Sequence, residues 1–167
     1  MRTFIAVDIS KEVSDKLKEL QEKFKDQGKI NLVKDFHVTL KFFREINEKE
    51  LEQIKEKLEK VKFKKFKVRI ANLGVYPNDK FIKVLGVTAK AKGLYGLKDQ
   101  IDKVLEQKDD KPFDAHLTIG RVKFLRDKNK FMELLKTKFE EQFDVNEFKL
   151  YKSELTRDGP IYTCLKV

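Results

Sequence analysis

The chain has two histidines, and each opens the same four-residue pattern: His37-Val38-Thr39-Leu40 and His116-Leu117-Thr118-Ile119. Threonine occurs seven times in 167 residues, so two chance His-x-Thr coincidences would arise roughly once in six hundred. In a strand, residues i and i+2 share a face. The His and Thr of each tetrapeptide would then point one way and the flanking apolar residues the other. Two imidazoles facing each other across a cleft suit general acid–base catalysis, because histidine titrates near neutrality and one ring can accept a proton while the other donates. The hydroxyls of Thr39 and Thr118 would donate hydrogen bonds to an oxyanion held between them. Lys41 and Arg121 are nearby cations able to neutralise a phosphate, arginine being the better bidentate partner. Strand alternation predicts Lys41 on the His37 face. It puts Arg121 on the wrong face unless the strand twists or breaks at Gly120.

Other chemistries have less support. The only carboxylates near the histidines in sequence are Asp35 and Asp114, so no metal set is expected, nor any other cofactor. Cys164 is the single cysteine; near the end of an apolar strand, it reads as an inert buried thiol. No glycine-rich phosphate loop is present. With 38 basic and 28 acidic residues the formal net charge is +10, which favours a polyanion, nucleic acid ahead of membrane. A Lys/Glu-rich solubilising surface would read the same way. Charged and hydrophobic residues each make up 40%, as in a globular chain rather than a disordered one. The first ten residues are too short and charged for a signal peptide, and no apolar run reaches membrane-spanning length. With no disulfide within the chain, a cytoplasmic protein is expected, and a monomer.

The elements that must position these groups follow from periodicity. Strands are predicted over 2–9, 35–43, 63–75, 81–88, 113–122, 143–155 and 161–167. A helix capped by Ser10, with Val13, Leu17, Leu20 and Phe24 inward, is predicted to end at Gly28. A second starts at Asn47 with Glu50 at capping-box spacing. A third covers 93–106 and a fourth 128–142. The order strand, helix, histidine strand, helix, strand occurs twice, with the histidines 79 positions apart. The same offset carries Phe4 to Lys83 and Phe66 to Val145. The expectation is one catalytic domain of two interleaved, pseudo-symmetric lobes around a shared cleft. Tyr76, Phe42 and Tyr162 read as core, with base stacking an option for Tyr76 in a turn region.

HVTL and HLTI resemble the paired HxTx motifs of the two-histidine phosphoesterase superfamily. The segments RTFIAVDIS, FHVTLKFFREI, PFDAHLTIGRV and LYKSELTRDGPIYTCL, which span nearly the whole chain, are similar to its RNA 2′,3′-cyclic phosphodiesterase branch, also called 2′-5′ RNA ligases. The resemblance implies a bilobal α+β fold, each lobe an antiparallel sheet with two helices outside. It also implies metal-independent opening of an RNA 2′,3′-cyclic phosphate to a 2′-phosphate. On the matching positions, His37 would be the proton donor and His116 the proton acceptor. Thr39 and Thr118 would hold the non-bridging oxygens. The ligase reading joins a cyclic end to a 5′-hydroxyl, and tRNA fragments are among the expected RNA partners. One departure is Arg44, where relatives commonly carry glycine; it adds a cation at the cleft rim. Two alternatives stay open: a cyclic phosphodiesterase for small nucleotides, and a non-catalytic RNA-binding module.

Overall fold

The computed structural model describes residues 1–165; the last two positions of the strand predicted over 161–167 lie outside them. The chain opens with β1 (Arg2–Asp8), buried from Thr3 to Val7 because sheet partners flank it on both sides. In α1 (Lys11–Gln21) the Ser10 hydroxyl accepts from the Val13 N–H, and Val13, Leu17 and Leu20 face inward together with Gln21. Gly28 does not close the helix. It begins a short strand absent from the periodicity reading, β2 (Gly28–Leu32), with φ of 148°. A Cβ there would lie 2.1 Å from the Phe124 carbonyl oxygen, so only glycine fits.

Next come β3 (His37–Phe43) and α2 (Glu48–Leu58), the latter held by a reciprocal Asn47–Glu50 capping box. β4 (Phe66–Pro77) and β5 (Ile82–Lys90) flank a turn in which the Asn78 side chain accepts from the N–H groups of Lys80 and Phe81. Then follow α3 (Lys92–Leu105), β6 (His116–Leu125) and α4 (Lys128–Leu134). The predicted fourth helix is thus cut to one half of its length. Its last three residues instead open β7 (Glu140–Val145), where Phe143 and Val145 alternate inward at strand period against Val68 and Phe66. The predicted strand over 143–155 is therefore two strands, β7 and β8 (Lys149–Thr156), before the closing β9 (Gly159–Leu165).

One curled antiparallel sheet runs β7-β4-β5-β6-β3-β1-β8-β9, with β2 also on β6. The fold is α+β and bilobal: β3 with β1, β8 and β9 on one side, β6 with the rest on the other. The direct β3–β6 join is a single registered pair, Val38 opposite Leu117. β4, from the first half of the chain, pairs with β5, and β8, from the second half, pairs with β1. So β8, not β7, is the counterpart of β4; Val145, reached from Phe66 by the 79-residue offset, is its direct register partner instead. The helices also cross over: α1 packs on β6 and β7, α3 on β3, β4 and α2. One continuous apolar core results.

The seat of α3 is tight. A Cβ on Gly93 would fall 2.2 Å from the Phe66 ring, whereas around Gly96 nothing lies within 4 Å. Gly93→Ala is therefore expected to lose about 1–3 kcal/mol through overpacking, despite alanine's better helix propensity. Gly96→Ala should gain about 1 kcal/mol. Urea midpoints at unchanged m-value measure both.

Candidate active site

Both histidine strands break their alternation immediately after the His-x-Thr pair. Thr39 lies opposite Ala6 and Lys41 opposite Ile5, so Leu40 is an extra residue, a β-bulge. Leu40 and Lys41 are consequently both buried, and Phe42 returns to the cleft face. The second copy repeats this: Thr118 opposes Gly86, Gly120 opposes Leu85, and Ile119 is the extra residue. Ile119 and Gly120 are buried and Arg121 emerges.

The bulges invert the parity argument at both cations. Lys41, expected on the His37 face, lies on the opposite one. It is 2% exposed and bound to Asp102 and Asp109, so it does not face the pocket. Arg121 is turned to the same face as His116, the break falling at Ile119 beside Gly120. Glycine is needed at 120 because a Cβ would come within 2.9 Å of Ile30, where β2 crosses. Arg44 sits in the exposed bend after β3. Phe42 is 47% exposed rather than core, and the Arg2 guanidinium lies over its ring at 5.5 Å. Cys164 is exposed, not buried.

His37, Thr39, His116, Thr118 and Arg121 line one small chamber of about 70 Å³, together with Asp35 and Tyr162. Behind each imidazole stands an aromatic support tied down by a hydroxyl. Tyr76, on β4 rather than in a turn, stacks on His116 at 4.1 Å and 17°. Its hydroxyl pairs with Thr88, the residue opposite His116. Gly86 leaves the space for this, since a Cβ would come 3.1 Å from the Tyr76 ring as well as 2.8 Å from the Leu117 carbonyl oxygen. Across the seam, Phe4 stacks on His37 at 4.8 Å and Tyr151 on Phe4 at 5.3 Å. The Tyr151 hydroxyl donates to Asp8 at 2.6 Å, and Asp8 is the residue opposite His37. Tyr162, half-buried, meets the His37 ring edge-on at 5.3 Å.

The two histidines differ electrostatically. Burial pushes His37 down to about 4; Asp8 and Asp35 pull upward, and Arg121 adds to the lowering. His116 Nδ1 lies 2.8 Å from the Asp114 carbonyl oxygen. With the proton on Nδ1, donated to that carbonyl, Nε2 carries the free lone pair. Tyr151 is raised by burial and by its bond to Asp8, Tyr76 chiefly by burial. Among the described residues, no three His, Cys, Asp or Glu side chains are grouped so as to hold a metal.

Residues that sequence reasoning missed include Tyr151, Asp8, Phe4 and Gln21. Gln21 is 7% exposed and donates to the carbonyls of Val33 and Ile119, the latter the bulged residue of β6. Its signal was a polar residue four after Leu17, on the apolar stripe of α1. Tyr151 gave none, since its partners come from the other end of the chain.

Comparison with known proteins gives two successive matches, residues 7–84 and 85–162, to the family model described as LigT like Phosphoesterase. The RNA 2′,3′-cyclic phosphodiesterase of Methanocaldococcus jannaschii is 34% identical, the alignment covering 99% of each chain. That of Thermotoga maritima is also 34% identical, over 99% of this chain and 93% of its own. A crystal structure from Thermus thermophilus superposes with a TM-score of 0.82 at 28% identity, covering 99% of this chain and 96% of that one. Escherichia coli LigT complexed with 3′-AMP shares the fold at a TM-score of 0.78 and 20% identity, over 99% and 95% of the two chains.

In the free protein, NMR titration of the His37 ring should give a midpoint near pH 4, and added phosphate should raise it by favouring the imidazolium. Because this lies below the unfolded value of about 6.5, unfolding takes up a proton between the two. Stability should therefore fall as pH drops from about 6.5 to 4. Thermal melts of His37→Gln should lack that component.

Proposed function

The chain belongs to the LigT-like phosphoesterase family, and on that premise we propose that it opens RNA 2′,3′-cyclic phosphate ends to 2′-phosphomonoesters without a metal. The observation that carries this is the convergence of two His-x-Thr faces and Arg121 on one chamber. A cyclic phosphodiester held there meets hydroxyl donors from Thr39 and Thr118 at its non-bridging oxygens and the Arg121 guanidinium at its charge. His116 Nε2 takes a proton from water as the water oxygen bonds to phosphorus. The bond from phosphorus to the 3′-oxygen breaks, and protonated His37 gives its proton to that oxygen. The products are a 2′-phosphate and a 3′-hydroxyl. His37 is neutral in the free protein near pH 7; the arriving phosphate anion, joining Asp8 and Asp35, favours its protonation. A 5′-hydroxyl in place of water gives a 2′-5′ linkage.

A groove of about 790 Å³ shares Asp35, Arg121 and Tyr162 with the chamber. Its walls are β2 and the β8–β9 hairpin, with Arg157 and Ile161 on the latter. Since Tyr162 touches the His37 ring, a nucleotide in the groove brings its ribose to the His37 side, which supports His37 as donor to the 3′-oxygen. The groove also favours an RNA end, tRNA fragments included, over a lone nucleotide, which would fill only part of it. The +10 charge suits that substrate, but a binding module alone gives no reason for two His–Thr pairs. None of the described helices is long and apolar enough to cross a membrane; an RNA substrate and an exposed free thiol suit the reducing cytoplasm.

Purified protein, with excess chelator, should convert RNA ending in a 2′,3′-cyclic phosphate to the 2′-phosphate. His37→Ala and His116→Ala should each lose about 100-fold or more in kcat; full turnover by either variant would refute the assignment. Oligoribonucleotides should be preferred to a cyclic mononucleotide in kcat/KM, and Arg157→Ala should shrink that preference while leaving mononucleotide turnover in place. Equal kcat/KM for both substrates would favour the small-nucleotide reading.

A further inference from the structure

Lys41 sits one residue past the bulge of the first histidine strand, its side chain 1% exposed. Its ammonium donates to Asp102 at 2.8 Å, to the Gln107 carbonyl at 2.9 Å and to Asp109 at 2.9 Å. All three of its hydrogens are used. Lys98, also buried, donates to the same carboxylates at 3.0 and 2.6 Å. Two lysines and two aspartates balance. Burial opposes the charge on Lys41, but the two aspartates outweigh it and raise its pKa; the two lysines likewise hold Asp109 below the usual carboxylate range.

Only Lys41 in this cluster comes from the first half of the chain. Asp102 and Lys98 are on α3, and Gln107 and Asp109 are in the segment leading to Asp114, whose carbonyl faces His116 Nδ1. The direct ladder between the histidine strands is one residue pair. The other bulge has a matching tie, from Gln21 of α1 to the Ile119 carbonyl. Each bulge is thus gripped by a buried polar group involving the helix that crosses beneath it.

We infer that Lys41 is a positioning residue for the reaction, a buried clasp that fixes the bulge at Leu40 and sets the second histidine strand against the first. Leu40 and residue 41 compete for the interior. The ammonium's three fixed acceptors decide which two residues go inward and hence that His37 and Thr39 both face the chamber. Without them the bulge can slip, and a one-residue slip turns Thr39 to the other face. The inference rests on the activity proposed above.

Lys41→Met alone leaves excess negative charge beside a dry cluster, so the deciding variant is Lys41→Met/Asp109→Asn, in which the cluster is again neutral. Its folding is checked by circular dichroism and a single thermal transition. At a temperature well below that transition, kcat on cyclic-phosphate RNA should fall at least about tenfold, with KM within about threefold. Lys41→Arg should recover most of the rate. Independently of turnover, the NMR midpoint of His37 should move upward from its wild-type value as the strand loosens. A folded double variant with wild-type kcat and wild-type His37 midpoint would overturn the inference. Wild-type protein inactive on cyclic phosphate would instead sink the activity, leaving the His37 midpoint to report on the clasp.

Discussion

A strand shows any one face only at every second residue, and the chamber depends on where that period is broken. Before each bulge, Val38 and Leu117 go to the core while His and Thr face the chamber. After it, two consecutive residues go inward, Leu40 with Lys41 and Ile119 with Gly120. The extra inward residue lets each strand bend around the core and brings the following residue, Phe42 or Arg121, to the cleft side. Straight strands would have sent Arg121 into the apolar interior, where an unpaired guanidinium is untenable. They would also have exposed Lys41 and removed its carboxylate partners.

Much of this was legible in the chain. The His-x-Thr repeats, the Ser10 and Asn47 caps, the half-buried alternation around Val68 and Ile70 and the repeated order of strands and helices all follow from local pattern, and local pattern is what a sequence displays; the bilobal α+β plan is what the family resemblance implied. The bulges do not, because a bulge is a relation between two strands and its position is settled by partners distant in the chain: Asp102 and Asp109 for one, Gln21 for the other. The same reason hides β2, whose Gly28 reads as a helix stop until Phe124 is placed against it, and shortens α4, where Phe143 answers to Val68 rather than to its own helix. Phe42 was misread because hydrophobicity predicts burial on average, not on the cleft side of a bulge.

The duplicated plan makes the departures from it informative. Tyr76 and Tyr151 stand at matching places on β4 and β8, and each ties its hydroxyl to the residue opposite a histidine. That residue is Thr88 beside His116 and Asp8 beside His37. Val84 and Phe4 are likewise matched, so Tyr76 reaches its imidazole directly, whereas Phe4 intervenes on the other side.

A perfectly symmetric chamber could not tell an acid from a base: two imidazoles in equal surroundings would compete for the same proton. Here the surroundings differ in wetness and in hydrogen bonding. His37 is the drier ring, with carboxylates at Asp8 and Asp35 and the Arg121 cation near it. In that setting its charge is governed by whatever anion arrives, because burial and Arg121 oppose the imidazolium until a phosphate compensates. His116 has its Nδ1 against a backbone carbonyl, so that nitrogen serves as a donor and Nε2 is the one left for the chamber. Arg121 has Phe42 as its counterpart across the pseudo-twofold, so this cation has no symmetric equal on its own strand. On the reaction proposed above, the ring that must be charged to donate is the one whose charge depends on substrate. On that reading burial couples the donor's proton to the arrival of the phosphate it serves.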